Sequence, residues 1–394
     1  MDDFPAPETP VDVLEPAALK DRIDTGEPVT VLDARMPADF EEWHIDGENV
    51  DIVNVPYFEF MDGVEEEVLE QIPHGDPLVV LCAKGGASEF VAGALADAGR
   101  DVVHLEDGMN GWARILERVE VTTYDGPGAV YQYQRPSSGC LSYLVVSDGV
   151  AAVIDPLRSF SDRYLADAER LDATLLYAFD THIHADHISG VRALDDAGAR
   201  GVLPAPALDR GVADADVLEA VDDGETIDIG ETTIEAVHTP GHTSGMTSYL
   251  VGGALLATGD GLFTESVARP DLEEGDDGAA AAARTLHETL QQRILTLPSE
   301  TVIAPAHFSD AATTAEDGSY TATVGELTDR MSALSLDEES FVELVLADMP
   351  PRPANYEEII ETNLGQQSVG DDEAFELELG PNNCAASQDS LADD

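Results

Sequence analysis

Residues 181–187, Thr181-His182-Ile183-His184-Ala185-Asp186-His187, put three imidazoles and a carboxylate within six consecutive positions. The stretch before them, residues 174–178, reads as a buried strand, and residues 188–197 read as a helix. Polar side chains of this kind are costly to bury without partners, so the cluster is no packing feature. On a loop at a strand end the four groups can converge on one point, and imidazole nitrogens with carboxylates are the donors that zinc and iron take. Further donors are expected at the ends of later strands. His242 sits in a turn after a predicted strand at 232–237, Asp260 ends a hairpin built on 247–251 and 255–258, and His307 follows a strand at 302–304. The Gly252-Gly253 pair between the hairpin strands is a strong turn signal. His238, nearer its strand, reads as structural or supporting.

Working outward, residues 130–133, 141–146 and 151–154 are short strands separated by turn residues, as in an antiparallel meander. A helix is expected at 162–171. Strands around a mixed core with helices outside suggest two sheets packed face to face. From residue 311 the chain turns helical, and beyond Pro350 it becomes acidic and loop-rich. The N-terminal region alternates differently. Residues 29–32, 78–81 and 101–105 read as buried strands and residues 88–98 as a helix with Ser88 as its N-cap, a strand–helix–strand order that implies a parallel α/β sheet.

Composition bounds the partners. Of 394 residues, 80 are acidic and 19 basic, a formal net charge of −61, and 43% are hydrophobic, enough to build cores. Only Lys20 and Lys84 are lysines. Surface charges interact over about 10 Å at 0.1 M salt but about 3 Å at 1 M, so such a chain is suited to a salt-rich cytoplasm. With no basic patch to displace counterions, nucleic acid is excluded as a partner. The longest alanine run, residues 279–283, is far too short to span a bilayer, and Met1-Asp2-Asp3-Phe4 does not start a secretory leader. The expectation is a soluble cytoplasmic protein with no membrane contact, its oligomeric state left open between a single chain and a homo-oligomer. Three cysteines make no disulfide framework. Cys82 stands out, because Cys82-Ala83-Lys84-Gly85-Gly86-Ala87-Ser88 joins a strand to a helix start. Backbone N–H groups and the positive helix end there favour thiolate, making Cys82 a competent nucleophile and sulfur carrier with Lys84 as the loop's cation. Cys140, ahead of a strand, reads as structural, and Cys384 as exposed and without a catalytic role.

H-x-H-x-D-H at 182–187, P-G-H-T at 240–243, T-G-D at 258–260 and P-A-H at 305–307 together resemble the metallo-β-lactamase superfamily over residues 128–307. The resemblance implies a first metal site at His182, His184 and His242, a second at Asp186, His187 and His307, and Asp260 as the bridging carboxylate. Residues 184–190, with Ala268-Arg269-Pro270-Asp271-Leu272, resemble the persulfide dioxygenase branch, although Ala268 replaces its usual glycine and Phe308-Ser309 its aspartate-tyrosine. That branch implies one Fe(II) held by His182, His242 and Asp260, with adjacent positions open for a persulfide sulfur and O2. Arg269 would then anchor a substrate carboxylate in a bidentate contact, the alternative being a structural ion pair with a nearby acid.

Leu32-Asp33-Ala34-Arg35, residues 42–47, Asn54-Val55-Pro56 and residues 105–112 resemble the rhodanese family's framework, with Ala87 where an arginine is frequent. The fold class these resemblances imply is α/β: a rhodanese-like parallel α/β domain at residues 10–118, a metallo-β-lactamase αββα sandwich at 125–345, and an acidic C-terminal extension at 346–394. The activity implied is oxidation of a small thiol persulfide by O2 to sulfite, coupled to sulfane-sulfur transfer at Cys82 with Lys84 beside the substrate, sulfite or thiosulfate being the other sulfur partners. The runner-up is a dinuclear zinc thioesterase resembling glyoxalase II, with two Zn in the complete set of seven ligands.

Overall fold

The computed structural model describes residues 9–75, 77–213, 217–309, 311–347, 349–380 and 382–386. Residues 1–8, read above for a leader, and residues 387–394 of the acidic segment lie outside the described residues. The chain divides into two compact units, residues 1–115 with 135–138, and residues 116–134 with 139–394.

In the first unit, β1 (Asp12–Leu14), β2 (Val29–Asp33), β3 (Val50–Asn54), β4 (Leu78–Leu81) and β5 (Val102–Leu105) form one sheet in the order β1-β5-β4-β2-β3. Every neighbouring pair is parallel. The central strand β4 is buried along its whole length. Leu78 and Val80 pack with Val91, Ala92 and Leu95 of helix Gly86–Asp97, while Val79 and Leu81 pack on the other face with Leu19 and Trp112. A strand covered on both faces needs apolar side chains at every position, which is why Leu-Val-Val-Leu is an unbroken run.

The second unit holds two sheets. β6 (Glu117–Glu120), β7 (Ala129–Arg135), β8 (Cys140–Ser147), β9 (Val150–Ile154), β10 (Thr174–Phe179), β11 (Arg200–Pro204) and β12 (Glu219–Val221) run in reverse order across the first. β13 (Thr226–Ile229), β14 (Thr232–His238), β15 (Thr247–Val251), β16 (Leu255–Gly259), β17 (Val302–Pro305) and β18 (Ala322–Thr323) run in sequence across the second. Three apolar clusters fix the layers. Tyr143, Val145, Ala152 and Phe179 meet Ile234, Tyr249, Val251 and Ala304 between the sheets. Leu144, Val153 and Leu175 face outward onto Tyr164 and Ala168 of helix Ser161–Arg170 and Leu194 of helix Val191–Asp196. On the far side Leu256 and Ile303 pack against Leu286 of helix Gly275–Thr289 and Phe341 and Val345 of helix Glu338–Ala347. The result is helix, sheet, sheet, helix, the αββα arrangement expected.

Two expectations are corrected. The helix after the histidine loop begins at Val191 rather than residue 188, because Ser189 is taken up by the loop: its Oγ donates to Asp180 and it bridges Leu157. The segment beyond Pro350 is not loop alone. It forms helices Tyr356–Asn363 and Asp371–Leu377, and Ile359, Val369 and Ala374 bury Ile188. Among the described residues no helix is long and apolar enough to cross a membrane.

Candidate metal centre

Four chain reversals at strand ends carry the candidate ligands. β10 runs into the loop of Asp180 to Gly190, β14 into the turn holding His242, β16 into Asp260 and β17 into His307. β16 and β17 are parallel, so Asp260 and His307 leave the sheet at the same edge. The close approach of these loops is possible because Gly259 has φ +52° and no side chain; a Cβ there would lie 2.4 Å from Thr181 Oγ1 and 2.3 Å from Met246 Cε.

His182, His242 and Asp260 form one group with donor atoms within 4.8 Å of one another. Asp260 Oδ2 stands 3.6 Å from His182 Nε2 and 3.7 Å from His242 Nε2. Those separations are too long for hydrogen bonds and suit donors that share one cation. Each ring is oriented from its far side: His182 Nδ1 pairs with Thr181 Oγ1 at 2.9 Å, and His242 Nδ1 donates to the Arg269 carbonyl at 2.9 Å. His182 Nε2 and Asp260 Oδ2 are buried without a hydrogen-bond partner. Orphaned atoms of this kind are rare in a buried site and fit a cation as their missing partner. Burial, with His184 close by, pushes the His182 imidazole down to about 3, and burial also lowers His242. Both rings are therefore neutral lone-pair donors at neutral pH. Burial would raise the Asp260 carboxyl, but His307 and His182 overcome it and hold it well below the usual range.

His184 is turned by acids behind it. Its Nε2 lies 3.1 Å from Asp155 Oδ1, and its Nδ1 has no partner. Asp155, at the end of β9, also accepts from the Thr181 backbone and hydroxyl. Burial pushes nearby Asp180 up to about 6. On the other side, His307 spans two carboxylates, Asp260 Oδ1 at 2.5 Å and Asp186 Oδ2 at 2.7 Å, and His187 Nδ1 lies 3.1 Å from Asp186 Oδ2. Burial works against charge on His307, yet the two acids hold it well above the ordinary imidazole range. Asn363, the last residue of helix Tyr356–Asn363, donates to the carbonyls of both His184 and His187 and clamps the loop from behind.

In the first unit, Cys82 follows β4 and is 5% exposed. The Gly85 N–H donates to its Sγ at 3.1 Å, and Ser88 Oγ lies 3.4 Å away. Helix Gly86–Asp97 begins at once behind this loop, two residues earlier than its sequence suggests. The loop's own carbonyls are held by the Met109 and Asn110 N–H groups, which reach Cys82 and Ala83. Gly108, at φ +55°, makes that contact possible, since a Cβ would lie 2.0 Å from the Cys82 oxygen. Lys84 is exposed on the same loop.

Residues 15–115 match the family model of the rhodanese-like domain, and residues 136–307 that of the metallo-beta-lactamase superfamily. The chain is a rhodanese-like domain followed by a metallo-β-lactamase domain. A curated relative, the mitochondrial persulfide dioxygenase ETHE1 of Bos taurus, is 29% identical over 251 residues, 62% of this chain and 92% of the relative. The cytoplasmic hydroxyacylglutathione hydrolase of Arabidopsis thaliana is 28% identical over 234 residues, 56% of this chain and 81% of the relative. Among solved structures, ETHE1 from Myxococcus xanthus superposes with a TM-score of 0.51 at 28% identity, covering 60% of this chain and 97% of that one. The fold and these relatives make the chain a metal-binding enzyme with a rhodanese-like domain in front.

Within the metallo-β-lactamase domain the seven residues singled out in the sequence are all buried: His182, His242 and Asp260 form one donor group, Asp186, His187 and His307 fall in another, and His184 groups with Asp155 and Asp180 instead. Arg269 is corrected. It is 1% exposed, and its guanidinium is spent on Asp271 (Nε–Oδ1 2.8 Å, Nη2–Oδ2 3.0 Å) and on the Pro351 and Asn383 carbonyls. A side chain so committed anchors the protein's own loops, and its carbonyl orients His242, so it holds no substrate carboxylate. Cys384 is corrected too: it is fully buried, with Sγ in one donor group with Asp186, Asp260 and His307. Cys140 is equally drawn in, its Sγ 3.3 Å from Asp186 Oδ2. His238 stays outside, paired with the Ser244 carbonyl. Sequence reasoning missed Asp155, Asp180 and Asn363. Asp155 could have been found as an acid closing the apolar strand Val150–Ile154; Asn363 gives no local signal.

Proposed function

We propose that this chain oxidises the outer sulfur of a low-molecular-weight persulfide with O2, at one iron held by His182, His242 and Asp260, and that Cys82 exchanges sulfane sulfur with the same pool. The observation that carries this reading is the triad: two neutral imidazoles and one carboxylate from three separate loops, with His182 Nε2 and Asp260 Oδ2 unpartnered. Bound there, Fe(II) supplies adjacent open positions for sulfur and for O2. The reaction balances as RSSH + O2 + H2O giving RSH, SO3²⁻ and two protons. The S–S bond breaks, the outer sulfur is oxidised, and O2 is the electron acceptor.

The protein's own part is positional and electrostatic. His307 keeps a proton on Nδ1 toward Asp260 Oδ1, which fixes the carboxylate with Oδ2 turned to the triad. The Arg269 carbonyl and Thr181 hydroxyl set the two rings. In the rhodanese-like domain, Cys82 thiolate attacks the outer sulfur of RSSH; the old S–S bond breaks, a new one forms on Cys82, and RS⁻ leaves. Similarity to persulfide dioxygenases supports the first half, and the match to the rhodanese-like family model the second.

The test is oxygen uptake by the full chain in molar salt with persulfides of several small thiols, alongside iron and zinc determination. One iron per chain and sulfite formed in step with oxygen consumed is the expected result. A second reading, a dinuclear zinc thioesterase, is favoured by Asp186, His187 and His307 standing beside Asp260 and by the hydroxyacylglutathione hydrolase relatives. Zinc with no oxygen uptake, and hydrolysis of a thioester, would replace the first reading with the second.

A further inference from the structure

With Arg269 engaged by Asp271 and by backbone carbonyls, a cation for an anionic substrate has to come from elsewhere at the metal edge. β11 is the parallel neighbour of β10, so the segment that follows it leaves the sheet at the same edge as the histidine loop. That segment, the short helix Ala205–Leu208 and the turn after it, carries Arg210. It is pressed onto the turn that holds His242, since a Cβ on Gly245 would lie 2.7 Å from Ala207 Cα. Glu273 joins the two. Its Oε1 lies 3.3 Å from Arg210 Nε and accepts from Ser244 Oγ at 2.7 Å, and its Oε2 accepts from the Ser244 N–H. Arg210 is thus tied, through one carboxylate, to a residue two positions after a member of the triad. Its side chain is only 13% exposed, yet Glu273 is its one ion-pair partner among the described residues, and Nη1 is buried with no hydrogen bond. Burial holds the guanidinium below the usual arginine range even with Glu273 alongside. Thr243 Oγ1, between His242 and Ser244, is likewise buried without a partner. A desolvated guanidinium with an unused donor is costly, and an anion in bidentate contact would offset that cost.

We propose that Arg210 anchors a carboxylate of the small thiol whose outer sulfur reacts at the triad, with the Thr243 hydroxyl available to the same ligand. The substrate class is then a thiol that carries a free carboxylate, and the inference rests on the oxidation reading above. The contact is non-covalent, so no bond is made or broken at Arg210. The chain's formal net charge of −61 repels anions at long range, so a preference for a carboxylate has to arise from a local contact. A largely buried pair is screened less than an exposed one, so the preference should persist in molar salt.

The experiment reads binding first and turnover second. The iron-loaded full chain, held under nitrogen so that nothing is oxidised, is titrated calorimetrically in molar salt with cysteine, cysteinyl-glycine and cysteinyl-diglycine, each as the free acid and as the C-terminal amide. The three lengths vary the reach between thiol and carboxylate. At the length that fits, the acid should bind about 10–100-fold more tightly than its amide, the size expected of a charge-assisted contact. Arg210→Gln should erase that difference and leave amide binding unchanged, while Arg210→Lys, which keeps the charge without the planar fork, should retain part of it. Acids and amides binding alike to the unchanged chain, a preference that survives Arg210→Gln, or amide binding lost with Arg210→Gln would overturn the proposal. Oxygen uptake with the corresponding persulfides separates this anchor from the oxidation itself. Uptake with the same KM for acids and amides would remove the anchor and leave the oxidation standing. No uptake with any persulfide, beside an acid preference that depends on Arg210, would keep the anchor and remove the oxidation.

Discussion

The two domains build reactive centres by opposite means. Cys82 sits on one short loop, and its surroundings are mostly main chain: the Gly85 N–H, the start of helix Gly86–Asp97, and carbonyls tied by Met109 and Asn110. The metal centre is made of side chains from loops separated by up to 125 residues, His182 to His307, all of them buried, some paired with one another and others, such as His182 Nε2 and Asp260 Oδ2, left without a partner. A backbone cradle tolerates a change of one side chain, because the donors remain. A side-chain cluster does not, because removing one member strands its partners in a low-dielectric interior.

The sharpest way to break this contrast is to change one residue in each centre. His242→Ala should cost more than about 100-fold in oxygen uptake, beyond what loss of a supporting contact costs, and lower the iron content. Cys82→Ser should leave that uptake in place and abolish sulfur transfer between persulfide and sulfite. Loss of both activities with Cys82→Ser would show that the centres are not separate.

Arg269→Ala tests whether a buried arginine near the centre serves substrate or structure. Because Asp271 would be left in the interior with Arg352 alone, we expect a loss of about 3 kcal/mol in denaturant unfolding of the metal-free chain. An unchanged unfolding midpoint with a raised KM would return Arg269 to the substrate. Asp155→Asn is milder. It keeps the shape behind His184 but removes the charge, and should weaken metal binding by about 10–100-fold, read by competition with a chelator.

The smallest expected effect lies away from both centres. Asp167 is buried and accepts from Arg163, Arg170 and Tyr133. Burial would raise its carboxyl, but the two arginines and the tyrosine hold it below the usual range. A depressed folded pKa stabilises the fold above the unfolded value of about 3.9, and that contribution disappears as pH falls through the folded value. Because Arg163 and Arg170 are 43% and 66% exposed, the contribution is about 1 kcal/mol at most. Thermal melts of Asp167→Asn should therefore differ from the unchanged chain at pH 7 and converge as pH falls through the depressed folded value. Equal melting at pH 7 would leave the network without a stabilising role.

Much of the architecture was legible because its causes are local. The apolar run of β4, the alternation along the meander and the acids and imidazoles after strands are properties of neighbouring residues. Strand ends in particular announce themselves, since a polar residue that follows a buried strand has left the core. That is how His182, His242, Asp260 and His307 were found without coordinates. The misreadings have the opposite cause. Cys140 and Cys384 look like isolated thiols along the chain, yet β8 pairing with the Ala306–His307 segment, and the Ala268–Ala385 bridge, carry both into the cluster. Arg269 looked available because its acids are near in sequence but its carbonyl partners, Pro351 and Asn383, are 82 and 114 residues away.

By itself the sequence determined two α/β domains, the strand ends that carry chemistry, and a nucleophilic loop after β4, because hydrophobic period and turn chemistry act over a few residues. Only the tertiary structure decided which donors meet which. It set His182, His242 and Asp260 together as a triad, gathered Asp186, His187 and His307 beside it, turned His184 toward Asp155, spent Arg269 on the protein's own loops, and brought Asn363 behind the histidines. Those outcomes depend on which strands pair and which helices pack across more than a hundred residues, and no local pattern encodes that.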